Sequence, residues 1–242
     1  MRIQFLAKGC VPLEQRGINL SYARTLAYPY VSERPRPPLA VVGGGHSLVS
    51  ALPELRDWDG DIWACGSASP YCLREGLDAT YFCIDPQASS AKCAKGAKRA
   101  IVATSIDPAM FVELEGADVE FFDLHTDGGD SNHGPTTATA AIELSVKMGY
   151  RDVTFFGCES SWDVQSHIYH HDNHPFEMLV KCDGKSFITC PEFLMQADFM
   201  AAVLRVAPMF KERSGGLLRA LINDPDWDIT HATQAFHDSL KQ

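Results

Sequence analysis

The clearest indication of the fold of this chain is the stretch LAVVGGGHSLVSALPEL, residues Leu39 to Leu55. Four apolar residues that suit a buried strand run into three glycines, and a segment with helical spacing follows. A strand, a glycine turn and a helix in this order form the first half of a βαβ unit. Such a turn either cradles a phosphate or lets the strand and the helix pack closely. The turn is neither GxGxxG nor GxxxxGK[ST], so the turn by itself leaves both interpretations open.

The same alternation of strand and helix continues along the chain. Six short runs are apolar on both faces and rich in β-branched or aromatic residues, as buried parallel strands require. They are residues 39–44, 61–65, 79–85, 99–105, 119–124 and 152–158. We therefore predict an α/β, Rossmann-like fold: a mostly parallel, doubly wound sheet with helices on both faces.

The remaining segments suggest how the chain is organised. The apolar residues of 1–38 show neither helical nor strand periodicity, so we predict an N-terminal arm there, followed by a single domain at 39–242. A His-rich insertion at about 159–180 follows the last core strand and is predicted to form a lid. Asp183 and Gly184 predict a hairpin turn within MLVKCDGKSFIT, and a helix is expected from Pro191 to Lys211.

Composition excludes several classes of protein. The net charge of -10 argues against broad nucleic-acid binding, and no apolar run approaches the roughly 20 residues of a membrane span. We expect a cytoplasmic protein, since the N-terminus lacks the apolar core of a signal peptide. Eight cysteines without a CxxC pair predict buried, reduced thiols rather than disulfides or a zinc site.

Small, hydroxyl and carboxylate residues follow several of the predicted strands. The carboxyl ends of parallel strands meet at one edge of a sheet, where such folds bind their ligands. Thr136 and Thr137 open a helix that begins with small residues, which gives this edge a second helix N-terminus. The candidates for nucleotide binding are Gly43, Gly44, Gly45, His46, Ser47, Gly66, Ser67, Asp85, Asn132, Gly134, Thr136, Thr137 and Glu159.

The pattern VVGGGHSL … DIWACGSAS … ATYFCIDP … GPTTATAAIELSVKMGYRDVTFFGCESSW resembles known families. It looks like the Rossmann-like family named for archaeal 6-hydroxymethylpterin diphosphokinase. It is also similar to bacterial CMP-sialic-acid sialyltransferases and flagellin-modifying glycosyltransferases. The resemblance covers about residues 39–210 and is most specific from Thr136 to Glu159.

The resemblance implies a nucleotide held between the glycine turn and the threonine-led helix. Gly43, Gly45 and Ser47 match the glycine turn of these families, and the two threonines match the turn that contacts the nucleotide. His46 stands where relatives usually have proline, and Gly66 stands where some sialyltransferases have a sugar-binding asparagine. The contact that this asparagine makes with the sugar is therefore expected to be missing.

The histidines of HIYHHDNH, residues 167–174, supply candidate catalytic groups. A histidine in a lid over the sheet edge suits a general base that deprotonates an acceptor hydroxyl. The sialyltransferases use a histidine and tyrosines from a comparable region, which makes His167, Tyr169 and His171 the candidates. The His–x₃–His spacing also suits zinc, but spacing alone does not establish a metal site, and none is assigned.

These features predict a nucleotide-dependent transferase. The leading hypothesis is a sialyltransferase-like glycosyltransferase with a nucleotide-sugar donor, a small-molecule or glycan acceptor and no required cofactor. The alternative is an ATP-dependent diphosphokinase whose Mg²⁺ would be held by carboxylates, with Asp85, Asp123, Asp127 and Asp130 as candidates. A non-catalytic nucleotide-binding module is a third hypothesis. Homo-oligomerisation is left open.

Overall fold

The structure is a computed structural model that describes residues 11–124, 136–162 and 177–227. Nine strands occur in these ranges. They are β1 (Leu39–Val42), β2 (Asp61–Cys65), β3 (Thr80–Cys83), β4 (Arg99–Ala103), β5 (Asp118–Phe122), β6 (Val153–Phe156), β7 (Met178–Cys182), β8 (Lys185–Thr189) and β9 (Phe210–Glu212). Seven of them form a parallel sheet in the order β5-β4-β3-β2-β1-β6-β9, and β7 and β8 form an antiparallel hairpin.

Helices connect and cover the strands. They are α1 (Leu13–Ala23), α2 (Leu48–Arg56), α3 (Ser69–Arg74), α4 (Ala109–Glu113), α5 (Thr137–Lys147), α6 (Pro191–Val206) and α7 (Gly216–Asn223). Short 3₁₀ segments occur at Gly66–Ala68 and Ala88–Cys93. The predicted Rossmann-like α/β fold is confirmed. In the described ranges, no helix combines the length and the apolar character needed to cross a membrane.

Strand β1 is the centre of the sheet. The chain adds β2 to β5 on one side of β1 and then returns to place β6 on the other side. Val42 pairs with Phe156 in register, so the turns after β1 and β6 begin at the same level. The point where the strand order reverses is therefore between these two strands, which is where open α/β sheets bind their ligands.

The core lies on both faces of the sheet. Leu39 and Val41 belong to one cluster of buried side chains, whereas Ala40 and Val42 belong to a second cluster. This division follows from the alternation of side chains along a strand. All four residues are fully buried, which explains why the strand reads as an unbroken apolar run.

The six predicted strands are all present, and their ends differ from the prediction by at most two residues. The hairpin is also confirmed, because Asp183 and Gly184 both have the positive φ that its two-residue turn requires. The predicted helix from Pro191 ends at Val206 rather than Lys211. The chain turns there to form β9, a strand of only three residues whose pattern is too short to recognise.

The N-terminal arm contains α1, a helix that the sequence pattern of the arm does not predict. Its buried residues are the polar Asn19 and the small Ala23, so the helix lacks an apolar stripe. Asn19 donates from Nδ2 to the carbonyls of Pro86 (3.2 Å) and Ser105 (3.1 Å), at the carboxyl ends of β3 and β4. The arm also covers the edge of β5, since Val31 N–H donates to the carbonyl of Phe121 at 2.9 Å.

Replacing Gly43 by alanine tests the close approach of the two central turns. A Cβ at this position would lie 2.5 Å from the carbonyl oxygen of Gly157, a backbone atom that cannot rotate away. We expect Gly43→Ala to lower the free energy of unfolding by about 1–3 kcal/mol in urea denaturation. Gly44→Ala is the matched control, because its Cβ would meet only the side-chain oxygen of Ser67, at 3.0 Å. Equal stability of the two variants would contradict this packing.

Replacing Asn19 by leucine tests the attachment of the arm. The change leaves two buried carbonyls without their donor, and we expect it to lower the free energy of unfolding by about 1–3 kcal/mol. Ser21→Ala serves as the control, since the exposed Ser21 hydroxyl bonds only within α1, to Gly17. If both variants unfold at the same urea concentration as the parent protein, α1 does not support the sheet edge.

Candidate functional site

A cavity of about 420 Å³ opens at the carboxyl ends of the central strands. Its wall combines glycine backbone, small side chains, hydroxyls, thiols, one carboxylate and one amine. The lining residues are Gly43, Gly44, Gly45, Cys65, Gly66, Ser67, Cys83, Asp85, Ser89, Ser90, Lys92, Cys93, Thr136, Thr137, Ala138, Gly157, Cys158, Ser160, Phe193 and Gln196. The cavity thus lies at the switch point between β1 and β6.

The structure brings eight of the predicted nucleotide-binding residues into this wall. They are Gly43, Gly44, Gly45, Gly66, Ser67, Asp85, Thr136 and Thr137. Three others, His46, Ser47 and Glu159, contact one another behind the glycine turn. Asn132 and Gly134 lie outside the described residues, as do the predicted catalytic residues His167, Tyr169 and His171.

The three glycines of the turn have three different neighbours. Gly43 packs on the backbone of Gly157, and Gly45 packs on the side chain of Glu159, since a Cβ there would lie 2.1 Å from Oε2. All three glycines line the cavity, and a Cβ at Gly44 would lie 3.0 Å from the side-chain hydroxyl of Ser67. The close packing of the turn is therefore confirmed for Gly43 and Gly45, whereas phosphate binding by the turn stays a prediction.

Glu159 holds the N-terminus of α2. Its Oε1 accepts from the main-chain N–H of Ser47 at 2.8 Å, and its Oε2 accepts from the Ser47 hydroxyl at 2.8 Å. His46 Nδ1 lies 3.0 Å from Oε1. Ser47 is the N-cap of α2, but its hydroxyl donates to this carboxylate and makes no capping bond to the helix. An anion placed here is favoured by the helix dipole.

The N-terminus of α5 forms a second wall. Thr136 is the N-cap, and it exchanges bonds with Thr139 in a capping box. The Thr136 hydroxyl also donates to Gln196 Oε1 at 2.6 Å, and Gln196 Nε2 donates to the hydroxyl of Ser160 at 2.8 Å. This chain of bonds fixes the cap. The first amides of a helix have no partner within the helix, and Thr137 and Ala138 carry them at the cavity wall.

The 3₁₀ segment after β3 forms a third wall. Asp85 accepts from the main-chain N–H of Gln87 at 3.0 Å and from the hydroxyl of Ser90, which fixes the turn that leads into the segment. Lys92 extends from the same segment and is the one basic residue in the described part of the wall. An amine at the edge of such a cavity suits an anionic ligand.

Sequence reasoning missed part of this wall. Ser89, Ser90 and Lys92 follow Asp85 closely in the sequence, so they could have been predicted as binding candidates together with it. Gln196 and Phe193 lie on α6, far along the chain, and no local signal marks them. Only the packing of α6 beside α5 and the strand ends brings them to the cavity.

The thiols of the site are buried. Cys65, Cys83, Cys93 and Cys158 line the cavity, and burial raises the pKa of each, that of Cys83 to about 12. All seven cysteines in the described ranges are buried free thiols, as predicted. Within those ranges no three side chains of the metal-ligating types come close enough together to hold an ion. The histidines considered for zinc, residues 167–174, lie outside them.

Comparison with known proteins adds one finding. No protein-family model matches the chain, and no curated protein sequence matches it. Its structure is similar to that of the MAf glycosyltransferase from Magnetospirillum magneticum AMB-1, with a TM-score of 0.65 and 14% sequence identity. The match covers 94% of this chain and 41% of that protein, so the chain spans about two fifths of its length. The chain therefore shares the fold of part of that protein, and a likeness to the pterin diphosphokinase family is not shown.

The raised thiol pKa values make stability fall at alkaline pH. Cys83 ionises near pH 9 in the unfolded chain and near 12 in the folded one, so its contribution is full below pH 9 and is lost as the pH rises toward 12. At pH 10 we expect ionisation of Cys83 in the unfolded chain to lower the free energy of unfolding by on the order of 1 kcal/mol relative to pH 7. Urea denaturation at both pH values checks this. Cys83→Ala should show a loss smaller by that amount, and an identical loss would contradict the assignment.

Proposed function

We propose that this chain is a glycosyltransferase, or the nucleotide-binding part of one, that takes a nucleotide-sugar donor in the cavity. The position of the cavity carries the proposal. It lies at the switch point of a parallel sheet, where α/β folds bind nucleotides, and the fold is glycosyltransferase-like. Its volume of about 420 Å³ falls in the usual range of small-molecule sites.

The chemistry of the wall supports an anionic ligand with polar groups. Lys92 and the first amides of α5, at Thr137 and Ala138, can meet the phosphate of a nucleotide. The hydroxyls of Ser67 and Ser89 can bond a ribose or a base. Gly44 allows the ligand to approach the backbone, because it has no Cβ.

The proposed reaction transfers the sugar to an acceptor hydroxyl. The acceptor oxygen forms a bond to the anomeric carbon, and the bond from that carbon to the phosphate oxygen breaks, leaving its electron pair on the phosphate. A base takes the proton of the acceptor, and His167, Tyr169 and His171 stay the sequence-based candidates for this role. Lys92 and the N-terminus of α5 would stabilise the charge that develops on the leaving phosphate.

The diphosphokinase alternative rests on the carboxylates. Asp85 lines the cavity, but its oxygens already accept from Gln87 and Ser90. Asp123 accepts from the hydroxyl of Thr104 at 2.5 Å, whereas Asp127 and Asp130 lie outside the described residues. If Mg²⁺ is bound, Asp85 is the described residue best placed to hold the ion, and the ion would neutralise negative charge on the phosphates of ATP. The present bonds of Asp85 favour the glycosyl-transfer proposal.

Thermal shift against CMP, CMP-sialic acid, UDP-sugars, GDP-sugars and ATP, each with and without Mg²⁺, tests the proposal. We expect a nucleotide or nucleotide-sugar to raise the Tm without added metal. Stabilisation by Mg-ATP alone would support the diphosphokinase alternative. Absence of any response would favour a non-catalytic protein and overturn the proposal.

Two substitutions localise the binding. Gly44→Val places methyl groups in the cavity beside Ser67 and should abolish the nucleotide-dependent Tm shift while leaving the protein folded. Lys92→Ala should weaken binding about 10-fold or more, since it removes a charged hydrogen-bond donor. Gly17→Ala and Lys95→Ala are the matched controls, because neither residue lines the cavity. Normal nucleotide binding by Gly44→Val would show that the ligand lies elsewhere.

A further inference from the structure

The carboxylate of Glu159 occupies the position where a strand–glycine turn–helix arrangement would hold a ligand's anion. The N–H and hydroxyl of Ser47 each donate to it at 2.8 Å, and His46 Nδ1 lies 3.0 Å away. The side chain of Glu159 is fully buried (0% exposed) at the N-terminus of α2. Donors that converge in this way at a helix N-terminus bind phosphate, sulfate or carboxylate alike.

The surroundings hold Glu159 in this position. Its main-chain oxygen accepts from Leu218 N–H at 3.1 Å, which ties it to α7 as well as to α2. A Cβ at Gly45 would lie 2.1 Å from Oε2 of Glu159, and a Cβ at Gly216 would lie 2.5 Å from the Cβ of Glu159. Two positions without side chains thus make room for this one glutamate, so the carboxylate is built into the turn.

We infer that Glu159 is an internal anion that fills the phosphate position of the glycine turn and excludes a ligand's phosphate from it. A second negative group beside a buried carboxylate is strongly disfavoured. A ligand's phosphate is therefore directed across the cavity, to the N-terminus of α5 and Lys92; this part rests on the proposed function. Glu159 determines specificity because its carboxylate occupies the position that a ligand's phosphate would take. The glycine turn then shapes the cavity but does not bind the charge of the ligand.

Anion rescue tests the first part without any nucleotide. Glu159→Ala removes the carboxylate but leaves its donors, so acetate, phosphate or sulfate should fill the vacated position. We expect these anions to raise the Tm of this variant by about 2–4 °C or more beyond chloride at equal ionic strength. Glu54→Ala is the matched control: it removes the same charge from an exposed residue paired with Arg213 at 3.4 Å. The same anion response in a folded Glu159→Ala and in Glu54→Ala would overturn the inference.

Glu159→Gln tests the same requirement for an anion if the alanine variant does not fold. It preserves the shape of the side chain and removes its charge, and we expect its Tm to fall by about 2–4 °C or more relative to Glu54→Gln. Equal Tm values would show that the turn does not require an anion.

Nucleotide binding by the same variant separates the two proposals. If a nucleotide stabilises the parent protein, its Tm shift should persist in Glu159→Gln, and loss of the shift would make Glu159 a ligand contact. If no nucleotide stabilises the parent protein, the proposed function fails while the result of the anion test still stands.

Discussion

The close approach of Gly43 and Gly157 is the constraint on which the centre of the molecule depends. Each would place a Cβ within 2.5 Å of the other's carbonyl oxygen, so neither position accepts a side chain. The N–H of Gly43 donates to Phe156 and that of Gly45 to Gly157, both at 2.8 Å, which carries the pairing of β1 and β6 past the ends of the strands. The two turns therefore leave the sheet together.

The segment from Gly157 to Ser161 fixes the neighbouring helices and strands around the cavity by hydrogen bonds. The N–H of Cys158 donates to the hydroxyl oxygen of Ser214 at 2.8 Å, and the carbonyl of Ser160 accepts from the hydroxyl of Thr189 at 2.7 Å. Ser160 has a positive φ, which is unusual for a residue with a side chain and is held by these surrounding bonds. Helices α2, α6 and α7 and strand β8 are all attached to one short stretch, so the cavity wall is fixed from several directions.

The two helix N-termini of the site differ in what faces their positive ends. Glu159 satisfies one helix N-terminus from inside the protein, whereas the N-terminus of α5 and the amine of Lys92 face the cavity. A turn that resembles a phosphate cradle in sequence thus serves a packing role in large part, and the groups suited to an anionic ligand lie on the other two walls. The proposed transfer of a sugar from a nucleotide uses that attraction on the leaving phosphate.

Local patterns in the sequence determined most of the fold. Apolar runs marked the six strands, Asp183-Gly184 marked the hairpin, and the two threonines marked the start of α5, because each depends on residues that are neighbours along the chain. Strand β9 and helix α1 escaped prediction, since one is too short and the other buries polar and small residues rather than an apolar stripe. Only the tertiary structure decided which candidates share a cavity. Ser47 and Glu159 are separated by 112 residues, and Thr136 and Gln196 by 60, so their bonds exist only once the sheet has assembled and brought the strand ends together.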